Sequence, residues 1–488
     1  TPRNVLLLES GPGGWAALAA RHGATRVTVV EPNAALVELL TGNDPPLAPE
    51  WRLSAVHLRV ANGRAYLRGA QQAFDVIRFP TVGALGGTAG LASAGEQFLL
   101  TRESFLEAWS KLAPAGVIAV TAWMDFPERN PLRLLATLAE AIESAGVRPR
   151  AHLAAVRGWA TVTFLARREA WSPADAAALR TFCAERGFDP LLLPDLQPDE
   201  REAHHVWQNP EFFHLVDTLA EGPREAIYHE YPFLLRPATD DRPYFSQFVR
   251  WNASGRLAEV FGARAMPFFE LGSLVVALTF VVLASLAVVG IVLPLLRLGW
   301  QAPGKAGVLL YFGGLGAGFM LVEIGMMLRA QAWLGSPVLA AAVVITGLLL
   351  ASGAGSLWSE RLSAGPRMTR RAVAVVAGGT LLAAWLLAAL GPAARAWPVA
   401  VQYGVLLGVV ATLGYTMGMA FPLGLRWLEA KTPEHVPWAW AVNGCVSVAT
   451  PAGAMLLAMS AGFNALFVAA AAAYGVALLG AWLRMSRE

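Results

Sequence analysis

A doubly wound, mostly parallel α/β sheet followed by an all-α bundle of seven membrane-spanning helices is the fold class this sequence predicts. Three observations carry it. A strand, a Gly-rich turn, a helix and a second strand open the chain in VLLLESGPGGWAALAARHGATRVTVVEPN, residues 5 to 33. Strand-like and helix-like stretches keep alternating beyond it, as βα units do. The chain is 55% hydrophobic and only 15% charged, too apolar for a wholly soluble protein, and the excess lies after Met266.

The elements follow in order. Val5 to Leu8 is a continuous apolar run of the kind a buried parallel strand shows, and Gly11, Gly13 and Gly14 free the backbone to turn tightly and approach a ligand. Trp15 to Arg21 reads as a helix and Val27 to Val30 as the second strand. Glu31 ends that strand roughly 20 residues after the glycines, where an acid accepts both ribose hydroxyls of a nucleotide or nucleoside. Pro12 and the missing third glycine speak against a pyrophosphate cradle and for a nucleoside without phosphates; a tight turn with no ligand is the alternative. LSAVHLRV (53 to 60), AFDVIRFP (73 to 80) and GVIAVTAW (116 to 123) are the third to fifth strands, with Asp75 a strand-start residue. TRESFLEAWSKLA (101 to 113) and PLRLLATLAEAIESAG (131 to 146) are helices, and HLAAVRGWATVTFLA (152 to 166), with Arg157-Gly158 at its centre, is a terminal antiparallel hairpin. Ser172-Pro173-Ala174-Asp175 is a helix start: cap, proline in the first turn, then an acid. Seven strands with the last reversed match the class I methyltransferase pattern. Residues 1–150 are thus a Rossmann-like nucleoside-binding core, 151–265 the remainder of the soluble domain, and 266–488 the membrane bundle.

From Met266 onward stand twelve Lys/Arg, six Glu and no Asp, against twenty-six Lys/Arg and twenty-nine Asp/Glu before it. The basic balance therefore belongs to the membrane half and argues for a lipid bilayer as partner, with no nucleic acid. Spans are expected near 270–296, 307–328, 338–358, 372–390, 398–421, 438–460 and 463–483, each close to the roughly 20 apolar residues a bilayer requires. Pro303, Pro337, Pro366, Pro392, Pro398, Pro422, Pro437 and Gly462 punctuate them. Loops after the first, third, fifth and seventh spans carry ten Lys/Arg and the others two, Arg329 and Arg395. Basic short loops stay cytoplasmic, which puts the soluble domain on the extracytoplasmic face, unless the segment containing Pro422 is re-entrant. Two cysteines, Cys183 and Cys445, exclude a disulfide framework. The chain opens at Thr1 directly on a strand, and further protein is expected before it.

Taken together, VLLLESGPGG, VTVVEPN, VANGRAYLR, FDVIRFP, LTRESFLEAWSKLAPAGVIAV and PATDDRPYFSQFVRW resemble the membrane-fused spermidine-synthase-like proteins of bacterial inner membranes. YFGGLGAGFMLVEIGMMLRAQAWLGSP, GMAFPLGLRW and WAWAVNGCVSVATPAG resemble that family too. The resemblance implies a fold related to aminopropyltransferases and methyltransferases. It also implies a nucleoside ligand: S-adenosylmethionine, its decarboxylated form, or methylthioadenosine.

The chain departs from what polyamine synthesis needs. Aminopropyl transfer requires an unprotonated amine, so a site must supply a base and carboxylates that hold the diamine. Spermidine synthases place an Asp just after the fourth strand. Here Arg78, Phe79 and Pro80 stand there, with no carboxylate until Glu96, and a fixed cation repels a diamine. Asn62 takes the place of the acid expected to meet the adenine amino group, a milder change because an amide also accepts.

Further candidates are weaker. His204, His205, His214 and His229 lack a metal-ligand spacing and read as solvated or packing residues. Asp240, Asp241 and Arg242, before Pro243, form either an ion-paired corner near the membrane or a substrate-binding pair. Glu323 lies inside a span, where a carboxylate is costly. It is expected to be protonated and bonded within the bundle, with Gln402, Asn443 and Ser447 as polar neighbours; a transporter-like relay is the alternative. Gly314, Gly318 and Gly325 give the same helix a small-residue surface. Two function classes remain open. One is a pseudoenzyme whose spermidine-synthase-like domain is a structural or docking module of a membrane complex. The other is a membrane-tethered transferase that moves a methyl or aminopropyl group.

Overall fold

The computed structural model describes residues 2–9, 11, 14–42, 49–84, 91–250, 270–298, 304–394 and 397–485. The chain divides into two compact units, Thr1–Ser273 and Leu274–Glu488.

In the first unit the strands are β1 (Asn4–Leu8), β2 (Arg26–Glu31), β3 (Val56–Val60), β4 (Phe74–Arg78), β5 (Leu112–Trp123), β6 (Leu153–Arg157), β7 (Thr161–Arg167) and β8 (Asp189–Leu192). The helices that bear on the site are α1 (Trp15–Arg21), α2 (Ala34–Thr41), α3 (Gly63–Gly69), α4 (Arg102–Ser110) and α5 (Asn130–Ser144). The strands form one sheet in the order β3-β2-β1-β4-β5-β7-β6-β8. β1 to β5 are parallel neighbours, and β7 runs antiparallel to both β5 and β6. That is the expected doubly wound order with the reversed strand inserted. An eighth strand, absent from the sequence reading, adds antiparallel to β6 at the edge.

Alternation along β1 explains why the sheet is buried on both faces. Val5 and Leu7 join Val27, Val29, Ala16 and Leu40 on the α1 side, whereas Leu6 and Leu8 join Val30, Ile77, Phe105 and Leu135 on the other. Asp75 accepts the amides of Arg3 and Asn4 at 2.6 and 2.8 Å and so fixes the start of β1 against β4. The helix Pro173–Arg186 begins as expected, with Ser172 and Asp175 in a reciprocal capping box.

The second unit holds helices of spanning length, and seven helices in all are long and apolar enough to cross a membrane. They run Leu271–Leu298, Lys305–Leu334, Pro337–Ser359, Pro366–Ala394, Val399–Lys431, Val436–Ala461 and Phe463–Met485, the first beginning in the soluble unit. Pro337, Pro366 and Pro398 stand at helix starts as expected, but Pro422 does not break the fifth span, which is continuous through it. Pro392 likewise lies inside the fourth. Proline is tolerated within spans because neighbouring helices resatisfy the backbone, and the carbonyl that Pro422 leaves unbonded belongs to a glycine, Gly418. The expected small-residue surface packs on the seventh span: a Cβ at Gly314 would lie 2.5 Å from the Ala473 carbonyl oxygen, and one at Gly318 2.7 Å from the Tyr474 ring. Pro303 and Gly13 lie outside the described residues.

Candidate nucleoside site

The carboxyl ends of β1, β2 and β4 define the site, because a parallel sheet opens its crevice there. Glu31, the last residue of β2, is 6% exposed and its Oε1 accepts the Asn33 amide at 3.1 Å. Gly11 adopts φ +63°, the left-handed conformation a tight turn needs, and Gly14 is the residue before α1. Asn62 caps α3: its Oδ1 accepts from the Arg64 and Ala65 amides at 3.0 and 3.1 Å.

Sequence reasoning missed Glu9. It follows β1 directly, and its Oε1 accepts the Gly63 amide at 3.0 Å, which ties the end of β1 to the start of α3. Burial pushes its carboxyl above the usual range, the Gly63 bond opposes that, and the nearby charge of Glu31 adds to the rise. Two acids therefore face one another across the first turn. The signal was present: an acid at the end of the apolar run, two residues before the first glycine.

Arg78 is the other feature. In the ladder it aligns with Leu7 of β1, which aligns with Val29 of β2. By alternation Arg78 shares the α1-side face with Val76, as Glu31 does with Val27 and Val29. Two strand spacings, about 10 Å, separate the strands of Arg78 and Glu31 across the sheet. The guanidinium lies 3.8 Å from the centre of the Trp15 ring and is 7% exposed. Burial lowers its pKa to about 10, leaving it charged at neutral pH.

The remaining sequence candidates lie elsewhere. Asp240 is ion-paired as expected, but with Arg64 of α3 at 3.1 Å, and it accepts the Thr101 hydroxyl at 2.7 Å. Asp241 occupies the turn closed between Thr239 and Arg242, whose guanidinium donates to Gln247. His205 bonds the buried Asp189 at 2.9 Å, alongside the Arg157–Asp189 pair at 3.1 Å. No group of His, Cys, Asp and Glu able to hold a metal occurs among the described residues.

The expectation for Glu323 needs correction. It is half-buried, and no hydrogen bond or ion pair joins it to a described residue. Asn443 donates to the Phe312 carbonyl at 3.0 Å, eleven residues before Glu323 and so about 16 Å away along the helix. Gln402 donates to the Ala394 and Trp397 carbonyls. Gln402 and Asn443, two of the three polar groups expected as its neighbours, donate to backbone carbonyls instead.

No family model matches the chain, and no curated protein sequence does. Among solved structures it is similar to a spermidine synthase in complex with the transition-state analogue AdoDATO. That match has 17% identity, covers 44% of this chain and 68% of that one, and has a TM-score of 0.29. It is also similar to spermidine synthase from Thermotoga maritima (18% identity, 44% and 68% covered, TM-score 0.29). A further likeness is to an rRNA methylase from Streptococcus thermophilus (12% identity, 34% and 87% covered, TM-score 0.22). What the sheet order and the helices define is a protein with a methyltransferase-type α/β unit followed by a bundle of candidate membrane helices.

Proposed function

We propose that the first unit is a membrane-tethered nucleoside-binding domain, of the S-adenosylmethionine type, that does not transfer aminopropyl groups. One observation carries the reading. At the end of β4, where an amine acceptor needs a carboxylate to hold and deprotonate it, stands a guanidinium stacked on Trp15. Glu96, the next acid along the chain, accepts from the Tyr244 hydroxyl at 3.4 Å. Glu31 keeps one oxygen anchored by the Asn33 amide, an arrangement suited to accepting ribose hydroxyls. The Asn62 oxygen is taken up in capping α3, so a base would meet its Nδ2 donor.

The test is direct. Purified protein mixed with putrescine and decarboxylated S-adenosylmethionine should form no spermidine, and it should bind methylthioadenosine saturably. Robust spermidine formation would overturn the first half, and absence of nucleoside binding the second.

A second reading, a docking module for other subunits of a complex in the inner membrane of a bacterium, is favoured by the loop charges. Ten basic loop residues against two, with seven candidate spans, support a domain on the extracytoplasmic face, away from cytosolic S-adenosylmethionine. A reporter fused after Glu488 that proved extracytoplasmic would remove this reading.

A further inference from the structure

The buried arginines of the first unit sort into two kinds. Arg157 pairs with Asp189, Arg64 with Glu107 and Asp240, Arg201 with Asp217 and Arg224 with Glu143. Arg133 has no carboxylate but donates to three carbonyls, of Arg236, Phe245 and Gln247. Arg78 has neither arrangement. Among the described residues its one side-chain hydrogen bond is a long one, Nη2 to Thr81 Oγ1 at 3.4 Å, and its guanidinium lies over the Trp15 ring. Burial is the sole cause of its shifted pKa, with no acid opposing it. The chain from Phe79 to Gly95 contains no Asp or Glu that could swing in to pair with it. A guanidinium has five donors in a planar fork matched to a carboxylate. A buried charge with no acid beside it is costly, and the edge of the fork that Trp15 leaves uncovered is matched to an anionic counter-ion.

Its place in the fold says which counter-ion. Arg78 and Glu31 lie on the same face of the sheet, on the strands either side of β1, two strand spacings apart laterally and two residues apart along the strands, about 12 Å in all. A nucleoside whose ribose sits on Glu31 sends the chain on its 5′ carbon across the end of β1 toward β4. We propose that Arg78 recognises a carboxylate at the far end of that chain. The site then takes an adenosyl nucleoside bearing an amino-acid tail, S-adenosylmethionine or its demethylated product, in preference to decarboxylated S-adenosylmethionine. The decarboxylated form would present only an ammonium to a cation. This inference rests on the nucleoside reading above and extends it to the ligand's tail.

The experiment is calorimetric titration of the full chain in lipid nanodiscs with three ligands: S-adenosylmethionine, its decarboxylated form and methylthioadenosine. The last lacks the tail and reports whether the nucleoside end of the site is intact in each protein. The expected result is that S-adenosylmethionine binds roughly tenfold or more tightly than the decarboxylated form, the worth of a charge-assisted bidentate contact. Arg78→Met should bring the two within about threefold, and Arg78→Lys should keep part of the preference. Equal affinities in the unmodified protein, or a preference that survives Arg78→Met, would overturn the proposal. If Arg78→Met does not fold, the unmodified protein and Arg78→Lys decide it. Failure of all three ligands to bind would overturn the nucleoside reading instead.

Discussion

Two regions of the sheet, its β6–β8 edge and its centre at β1 and β4, treat buried charge in opposite ways. At the β6–β8 edge, Arg157 and Asp189 are both fully buried, and Asp189 also accepts the His204 and His205 amides and the His205 ring. At the centre, around the carboxyl ends of β2, β1 and β4, Glu9 and Glu31 approach one another, and Arg78 lies on the same face as Glu31 yet bonds neither. The Arg157–Asp189 pair is matched in charge within the protein, although Arg157 Nε and Nη1 have no hydrogen-bond partner among the described residues. In the proposed reading the central set, whose Arg78 has no carboxylate partner among the described residues, is the one that faces the ligand.

The sharpest way to break that comparison is to open the ion pair at the edge. Asp189→Ala should destabilise the protein by about 3–5 kcal/mol by stranding the Arg157 guanidinium, read as a fall in the thermal unfolding midpoint. A small loss there would mean the two regions do not differ. Next in size is Glu31→Ala, which should weaken binding of methylthioadenosine by an amount on the order of 1.5–3 kcal/mol with little change in unfolding temperature. A large fall in unfolding temperature instead would make Glu31 a structural residue. Arg78→Met should leave the ligand-free protein as stable as before or more so, because it removes a buried charge that no acid balances. A destabilisation matching that of Asp189→Ala would show a hidden partner.

The smallest effect is confined to pH. The Glu9 carboxyl is raised in the folded protein above its ordinary value of 4.5. Its contribution to stability is therefore fully present below the unfolded value and lost as pH rises through the folded one. Glu9→Gln keeps an oxygen for the Gly63 amide and does not titrate. Its unfolding midpoint should match that of the parent in acid and exceed it increasingly as pH climbs past 4.5. A gap that does not vary with pH would show that burial does not raise the Glu9 carboxyl in the folded protein.

Much of this was legible in the sequence, and what was not has physical reasons. The apolar runs of β1 and β2 and the Ser172 cap are local signals, and each appears where it was read. β8 was not legible because Asp189-Pro190-Leu191-Leu192 is short, and its pairing is fixed by β6 and by the ion pair with Arg157. Helix continuity through Pro422 depends on neighbouring helices that no local rule sees. At the site, Glu31 and the identity of Arg78 were visible. The Trp15 ring against Arg78 was not, because the contact joins residues distant in the chain. Nor was the diversion of Gln402 and Asn443 to helix carbonyls, which left Glu323 without the partners expected for it.

One detail of the first turn bears on how this protein can be altered. Glu9 holds φ +45°, a left-handed conformation that a side chain occupies at a cost of order 1 kcal/mol and glycine occupies freely. A search for thermostable variants that scored only the folded backbone would therefore choose glycine here. That choice would relax the turn and delete one of the two acids beside the proposed ligand. Robustness and recognition pull in opposite directions at this position, so a library selected for heat resistance alone would drift toward a tougher molecule with a blunted site.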